Sequence, residues 1–201
     1  MSAEIKASDV AELRRQTGAG MMDCKEALAE AGGDMEKAAE IIRVKMGNKI
    51  GKLADREAAE GTIQSYIHAG GKVGVMVQVD CNTDFVAKNE DFTEFAREVA
   101  MHIAASPAVQ YVTDEDVPEE AREAESRIFT EQVADKPEDI RPKIVDGMID
   151  KWMGEVVLLR QPHVNADRHE GQTIEEMRAA LSAKTGENIV IRRFVRYAVG
   201  E

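Results

Sequence analysis

The adjacent pair Asp84–Phe85 is the feature of the sequence with the clearest chemical potential, because a carboxylate and a large aromatic ring stand side by side. The pair follows a predicted hairpin and precedes a predicted helix. In one interpretation, Asp84 caps a helical turn and Phe85 fills the core. In the other, the pair is a wedge at a loop tip that enters a cleft of another protein and disturbs a bound cation. Local physical chemistry favours the first interpretation, and the sequence alone does not decide between them.

Two glycine-rich segments have the composition of a phosphate-binding loop without its context. Gly18–Gly20 and Gly70–Gly74 lack a strand–loop–helix setting and the Gly-Lys-Ser/Thr ending of such loops. We therefore predict a turn between helices at the first segment and a hairpin turn at the second.

The histidines and cysteines form no recognisable metal or nucleophile motif. The four histidines show no ligand spacing to a cysteine or to one another: His68, His102, His163 and His169. We predict that His102 packs on a helix and that Cys24 and Cys81 are small packing residues. The sequence shows no local motif for a Ser/His/Asp triad or a carboxylate pair. The expectation is a protein with no catalytic residue, metal or cofactor, that is, not an enzyme.

The composition argues against several classes of protein. The 201 residues carry a net charge of −12, which argues against a chain that grips nucleic acid through its phosphates. A hydrophobic content of 43% suffices for a packed core, and 4% aromatic residues beside 10 methionines favour helical packing. No apolar run is long enough to span a membrane, and Met1–Lys6 lacks the apolar run of a signal peptide, so we expect neither feature. With two distant cysteines, we expect a reduced, cytoplasmic protein.

The first 46 residues are predicted to form three short helices. Ser8 or Asp9 caps the first, Gly32–Gly33 ends the second at about residue 31, and Asp34 caps the third. Apolar residues at helical spacing indicate the buried faces: Val10, Leu13, Met21, Cys24, Leu28, Ala31, Ala38, Ile41 and Ile42. So small a unit is better suited to presenting a surface than to enclosing a catalytic cavity. The charged segment 47–61 is predicted to be a linker, partly helical, and the domain boundary.

Residues 62–201 are predicted to form an α+β core. Alternating residues in 62–68 and 73–79 around a Gly-Gly turn indicate a β-hairpin. Apolar residues on one helical face follow: Phe92, Phe95, Ala96, Val99 and Ile103. The charged segment 118–153, with sparse apolar positions, is typical of a protruding antiparallel helical hairpin. A last helix follows, and a strand over 189–199 then completes a small antiparallel sheet.

Several motifs together resemble bacterial translation elongation factor Ts. The segment Leu13–Leu28, with its Arg-Arg-Gln-Thr-Gly-Ala-Gly-Met-Met-Asp-Cys core, resembles the N-terminal signature of that family, and Asn82–Ala87 resembles its second signature. Tyr66–His68, Gly154–Val156 with Gln161–Pro162, and Gly186–Arg193 also fit. The matches run in the family's order and cover nearly the whole chain, so that together they are highly specific.

The resemblance implies a guanine nucleotide exchange factor for the GTPase elongation factor Tu, one that binds the GDP form and leaves a nucleotide-free form ready for GTP. By the same resemblance, residues 1–46 are a ubiquitin-associated-like domain that docks on the nucleotide domain of the GTPase. The matching contact positions are Arg14, Met21, Met22 and Lys25, with His68 at the hairpin tip as a further candidate. Thr83, Asp84, Phe85 and Val86 match the intruding loop that dislodges Mg²⁺. For Met21, a core position in its own helical unit is the alternative, although Met21 and Met22 cannot both lie on one face.

One departure from longer family members concerns the number of core modules. The chain has a single hairpin and a single Thr83–Val86 element, whereas longer members carry two similar sheet-bearing modules. Short members are similar in this respect and act as homodimers, which implies a two-fold dimer through the sheets. The alternative function is a non-enzymatic interaction adaptor whose three-helix unit binds another protein. We expect no direct contact with nucleic acid or membrane, and the role of the 118–153 hairpin is open between a solvated protrusion and a further contact.

Overall fold

A computed structural model describes residues 5–201, with the backbone alone described at residues 49 and 50. The fold is α+β, as predicted. Its elements are α1 (Ala7–Thr17), α2 (Met21–Glu30), α3 (Met35–Ala54), β1 (Glu60–Ile67), β2 (Val73–Cys81), α4 (Asp84–Ala87), α5 (Glu90–Ala105), α6 (Glu119–Gln132), α7 (Arg141–Val156), α8 (Ala166–His169), α9 (Ile174–Thr185) and β3 (Val190–Ala198). Within this described part, no helix is long and apolar enough to cross a membrane.

Helices α1, α2 and α3 pack on one another around a small core, which confirms the three predicted helices. The core consists of the buried residues Val10, Leu13, Ala19, Cys24, Ala27, Leu28, Ala38 and Ile42. Asp34 caps α3 as predicted, because its carboxylate accepts the Lys37 N–H at 3.1 Å. The predicted cap of α1 is wrong. The helix begins earlier, with Lys6 as N-cap residue, and the Ser8 hydroxyl hydrogen-bonds Asp9 rather than a free backbone N–H.

Helix α3 continues to Ala54, so helix occupies the first half of the segment predicted as a partly helical linker. Two compact units emerge from the contacts within the chain. The first takes the described residues up to Thr62 together with Val79–Phe95 and Met177–Val190. The second takes Ile63–Gln78, Ala96–Glu176 and Ile191–Glu201. The boundaries 1–46, 47–61 and 62–201 stay predictions.

Strands β1, β2 and β3 form one sheet in that order, with β2 in the centre. The predicted hairpin is confirmed, since the His68 N–H donates to the Val73 carbonyl at 2.9 Å. Strand β3 runs antiparallel to β2, because the Val199 N–H reaches the Lys72 carbonyl at the start of β2. One face of β2 is buried, and it carries Val75, Val77, Val79 and Cys81.

Two further helical predictions are confirmed. The predicted stripe of α5 is buried throughout, from Phe92 to Ile103. Helices α6 and α7 pack against each other as the two arms of a hairpin. Ile128 and Ile140 stay exposed on these arms, which fits the sparse apolar pattern of the segment.

Candidate functional site

The loop after β2 carries Phe85 almost fully in solvent. The ring is 83% exposed, and the single turn α4 (Asp84–Ala87) contains no buried residue. Thr83, not Asp84, is the N-cap residue of this turn, since its hydroxyl accepts the Val86 N–H. The interpretation that local physical chemistry favours, with Asp84 as cap and Phe85 in the core, is therefore wrong on both counts. An exposed aromatic ring of this size is available for burial against another molecule.

Asp84 is a charged group beside that ring. Its carboxylate pairs with the Lys88 ammonium at 2.7 Å, one helical turn further along. The hydrogen bond and charge of Lys88 lower the pKa of Asp84, so the carboxylate is ionised at neutral pH. Both side chains are at least half exposed, so water screens the pair and Asp84 can exchange Lys88 for another cation.

Hydrogen bonds to residues distant in sequence, chiefly Glu187 and Asn188, hold the base of this loop. Glu187 Oε2 accepts the backbone N–H groups of Asn82 and Thr83 at 3.0 and 3.1 Å. Its Oε1 accepts the Thr83 hydroxyl at 2.6 Å. The Asn188 N–H donates to Asn82 Oδ1 at 2.8 Å, and Asn82 Nδ2 donates to the Glu57 carbonyl at 2.7 Å. The Phe85 ring thus projects from an anchored base.

Local sequence patterns indicate no role for Glu187 or Asn188. Both residues belong to the segment Gly186–Arg193, which takes part in the resemblance only. A contact that joins residues 83 and 187 leaves no trace in local periodicity or spacing. The one available signal was that both motifs fit the same family, each near the end of a predicted strand or helix.

The predicted docking residues of the three-helix unit lie on its surface. Met21 and Met22 are 56% and 64% exposed, and Arg14 and Lys25 are exposed as well. The alternative of a core position for Met21 is therefore wrong, and the buried stripe of α2 begins at Cys24. Met21 and Met22 stand four and three residues before Lys25, so both are its neighbours on the helix surface. The exposed surface of α2 thus combines apolar groups with charged groups of both signs.

His68 lies where the hairpin turns, as predicted, and its side chain is exposed. The Tyr66 hydroxyl lies 3.2 Å from His68 Nδ1, and this contact orients the ring. The imidazole is free to meet another molecule through its other nitrogen.

A buried histidine cluster forms within the second unit, although the histidines show no metal-ligand spacing in the sequence. Glu98 Oε2 lies 3.5 Å from His163 Nε2 and 3.3 Å from His169 Nε2, and Glu98 Oε1 pairs with Arg168 at 2.6 Å. The ligand atoms of Glu98, His163 and His169 lie within 4.8 Å of one another. His102 lies beside the cluster, with its ring centre 5.5 Å from that of His163.

Backbone N–H groups nevertheless set the tautomers of His102 and His163 as hydrogen-bonding residues and not as metal ligands. The N–H groups of Val164 and Asn165 point at Nδ1 of His102 and His163, each at 3.2 Å. Each Nδ1 therefore accepts, so the proton of each neutral ring is on Nε2. Nε2 of His102 then donates to Gln161, and Nε2 of His163 donates to the Glu98 carbonyl. A metal ion would need the Nε2 lone pair of His163, which this tautomer does not offer.

Burial lowers the pKa of both His102 and His163, because charging either ring would leave it desolvated and would remove the acceptor of a backbone N–H. The unfolded chain protonates both near pH 6.5. Between that pH and the lower folded-state pKa, the unfolded state therefore binds more protons, and stability falls as the pH falls.

We expect the urea midpoint of unfolding to drop between pH 7 and pH 5.5. The slope is about 1.4 kcal/mol per pH unit for each histidine that protonates only on unfolding. His102→Asn is the matched variant, because its amide oxygen can still accept the Val164 N–H without titrating. It is expected to reduce the slope by about half. An equal slope in the variant and the parent chain would contradict the buried neutral state of His102.

The outward face of the sheet carries an exposed apolar patch, here called the apolar sheet face. Ile67 of β1 lies on the same face as Gly74 of β2, since a Cβ on Gly74 would lie 2.9 Å from Ile67 Cδ1. Arg193 of β3 lies on the same face as Gln78 of β2, since Arg193 Nε donates to Gln78 Oε1 at 2.9 Å. Side chains alternate between the two faces of a strand, so every second residue of each strand belongs to this face. The exposed apolar members of this face are Ile63, Ile67, Met76, Val195, Tyr197 and Val199. Tyr197 and Val199 are 72% and 77% exposed. An exposed apolar cluster of this kind is typical of an interaction surface.

Comparison with known proteins gives a consistent result. A family model described as Elongation factor TS matches residues 3–170. Elongation factor Ts of Trichodesmium erythraeum (strain IMS101) is 49% identical over 99% of this chain and 90% of its own length. Elongation factor Ts of Syntrophus aciditrophicus (strain SB) is also 49% identical, over 98% of this chain and 97% of its own. The chloroplastic Elongation factor Ts of Rhodomonas salina is 48% identical over 100% of this chain and 91% of its own.

Proposed function

The chain belongs to the elongation factor Ts family of translation elongation factors, and on that premise we propose that it is a guanine nucleotide exchange factor for elongation factor Tu. It binds the GDP form, promotes release of GDP and leaves the nucleotide-free GTPase ready for GTP. Such a factor needs no catalytic side chain and no cofactor of its own. We infer that it acts in the cytoplasm and contacts neither nucleic acid nor membrane.

The observation that supports this proposal best is the exposed Phe85 ring on an anchored loop. The ring has no packing role in its own chain, since it is 83% exposed. Hydrogen bonds at Asn82 and Thr83 fix the base of the loop. An apolar plug with an ionised carboxylate beside it matches what is needed to enter a cleft and displace a bound Mg²⁺. Thr83, Asp84, Phe85 and Val86 form the proposed intruding loop.

The physical mechanism is a thermodynamic coupling. The factor binds the nucleotide-free GTPase more tightly than the GDP form, so it must weaken GDP binding by the same factor. Mg²⁺ neutralises the charge of the diphosphate, and its displacement loosens the nucleotide. Burial of Phe85 in the distorted complex supplies the differential binding, at about 1.5–3 kcal/mol for a fully buried ring.

The three-helix unit is the proposed docking domain, ubiquitin-associated-like, with residues 1–46 as its proposed extent although α3 continues to Ala54. Its contacts with the nucleotide domain of the GTPase are Arg14, Met21, Met22 and Lys25, supported by their exposure. His68 is a separate proposed contact at the tip of the hairpin. Arg14 and Lys25 offer positive charge to an acidic partner surface, among the acidic residues that α2 also exposes.

We also propose that the protein is a homodimer through the apolar sheet face. Six exposed apolar side chains on one face support an interface between two copies, and a two-fold axis would bury the same patch of each. Pairing two copies would bring two sheet-bearing modules together, whereas the described residues of one chain form a single three-stranded sheet. The residues 62–201 are therefore the proposed exchange and dimerisation core.

Stopped-flow release of a fluorescent GDP from elongation factor Tu tests the function directly. Added chain is expected to accelerate release in a concentration-dependent manner. Binding without any acceleration would instead support the interaction adaptor. Absence of binding to the GTPase would overturn the exchange function and leave the interaction adaptor, whose partner would then be another protein.

A further inference from the structure

We propose that Glu187 is the positioning residue of the Phe85 loop, a role that rests on the exchange function proposed above. Its carboxylate fixes the base of the loop before the partner arrives, so that Phe85 enters the GTPase from a pre-formed conformation. Glu187 would thus act on exchange through Phe85, without itself touching the GTPase.

The carboxylate of Glu187 is committed to the loop. Its two oxygens accept three hydrogen bonds, from the N–H groups of Asn82 and Thr83 and from the Thr83 hydroxyl, at 3.0, 3.1 and 2.6 Å. Hydrogen bonds to an ionised acceptor are stronger than those between neutral groups. Three such bonds to two consecutive residues restrict the backbone where the loop leaves β2.

The backbone of Glu187 is itself held in place by neighbouring residues. Its N–H lies 3.4 Å from the Thr185 hydroxyl, and its carbonyl accepts the Ser182 hydroxyl. Asn188, the next residue, donates from its side chain to the carbonyl groups of Ala54 and Arg56. The carboxylate is therefore presented by a turn that is anchored to α9 and to the end of α3.

Beyond its base, which Asn82 also anchors through the Asn188 N–H and the Glu57 carbonyl, the loop has little packing to keep it ordered. Helix α4 has only four residues and no buried side chain, too short to be stable without support. Phe85 contributes no packing within the chain because it is 83% exposed. Hydrogen bonds at the base must therefore supply the order. A loop that is ordered before binding does not lose its conformational entropy during binding, which favours the complex.

The test compares Glu187→Ala with Glu187→Gln in two measurements. Alanine removes all three acceptors, whereas glutamine can still accept from the backbone with its oxygen and donate to the Thr83 hydroxyl with its nitrogen. Exchange titrations should show a maximal GDP release rate about tenfold lower for the alanine variant, since fixing one backbone residue corresponds to about that factor. The half-saturating concentration should stay within about twofold of the parent value, because the docking residues are untouched. Glutamine should restore most of the rate.

Amide hydrogen exchange provides the second measurement, and it does not depend on the GTPase. Glu187→Ala is expected to speed exchange at Asn82 and Thr83 selectively, with Glu187→Gln in between. Glu131→Ala, at an exposed position on α6, is the matched control and should leave the exchange of both amides unchanged.

The outcomes separate the two proposals. If the parent chain does not accelerate GDP release from elongation factor Tu, the proposed function fails. The amide measurement still decides whether Glu187 orders the loop. If the parent chain is active and Glu187→Ala keeps the parent's release rate and amide protection, the positioning role is wrong. Should the alanine variant not fold, the comparison passes to Glu187→Gln and Glu187→Asp, the latter too short to reach all three donors. Equal rates and equal amide protection in these two variants and the parent would then overturn the proposal.

Discussion

Phe85→Ala is expected to slow the release of GDP from elongation factor Tu about ten- to hundredfold, relative to the parent chain at the same concentration. A fully buried phenylalanine side chain contributes about 1.5–3 kcal/mol, and every 1.4 kcal/mol changes an equilibrium or rate constant about tenfold. If Phe85 is buried only in the nucleotide-free complex, all of this free energy favours that complex over the GDP form. The loss should therefore appear mainly as a lower maximal release rate, measured by stopped-flow fluorescence.

The exposure of Phe85 makes this variant interpretable. Because the ring is 83% exposed, its removal creates no cavity, and the thermal unfolding midpoint is expected to be unchanged. Val164→Ala is the matched control, since Val164 is an exposed apolar residue, at 46%, outside every proposed contact surface. An unchanged release rate in Phe85→Ala would rule out the wedge. A loss of equal size in Val164→Ala would show that the effect is not specific to the loop.

The elements that the sequence predicts well are those whose signal is local. The stripe of α5 and the alternation of the hairpin each arise from residues a few positions apart, and the structure confirms both. Met21 shows the limit of the same argument. It stands at helical spacing from Cys24, yet it is the first residue of α2 and its side chain is 56% exposed.

The candidate site depends on contacts that local patterns do not contain. The base of the Phe85 loop is held by hydrogen bonds to Glu187, which join residues about a hundred positions apart. The histidine cluster likewise joins Glu98 to His163 and His169. For such sites, single-sequence reasoning can identify candidate residues, but only the fold shows which side chains are buried and which are paired.

Tyr197→Glu is expected to convert the protein from dimer to monomer, with the largest effect of any single change on the apolar sheet face. Tyr197 is 72% exposed in the single chain, so a carboxylate there is tolerated by the fold. In a two-fold interface the same residue of both copies would be buried against apolar neighbours such as Val199 and Ile67. An unpaired buried charge costs several kcal/mol, and the two-fold axis applies that cost twice. The dimer dissociation constant should therefore rise by at least about a thousandfold.

Light scattering at micromolar concentration measures this outcome directly. The parent chain is expected at about twice its 22.1 kDa mass, and Tyr197→Glu at the mass of one chain. Val164→Glu places the same charge on an exposed apolar position outside the sheet and should leave the dimer intact. If exchange requires a second sheet-bearing module from the second copy, the monomeric variant should also lose most of its exchange activity while keeping its unfolding midpoint. A parent chain that is monomeric at this concentration and fully active would exclude the dimer, since one copy would then contain everything that exchange requires.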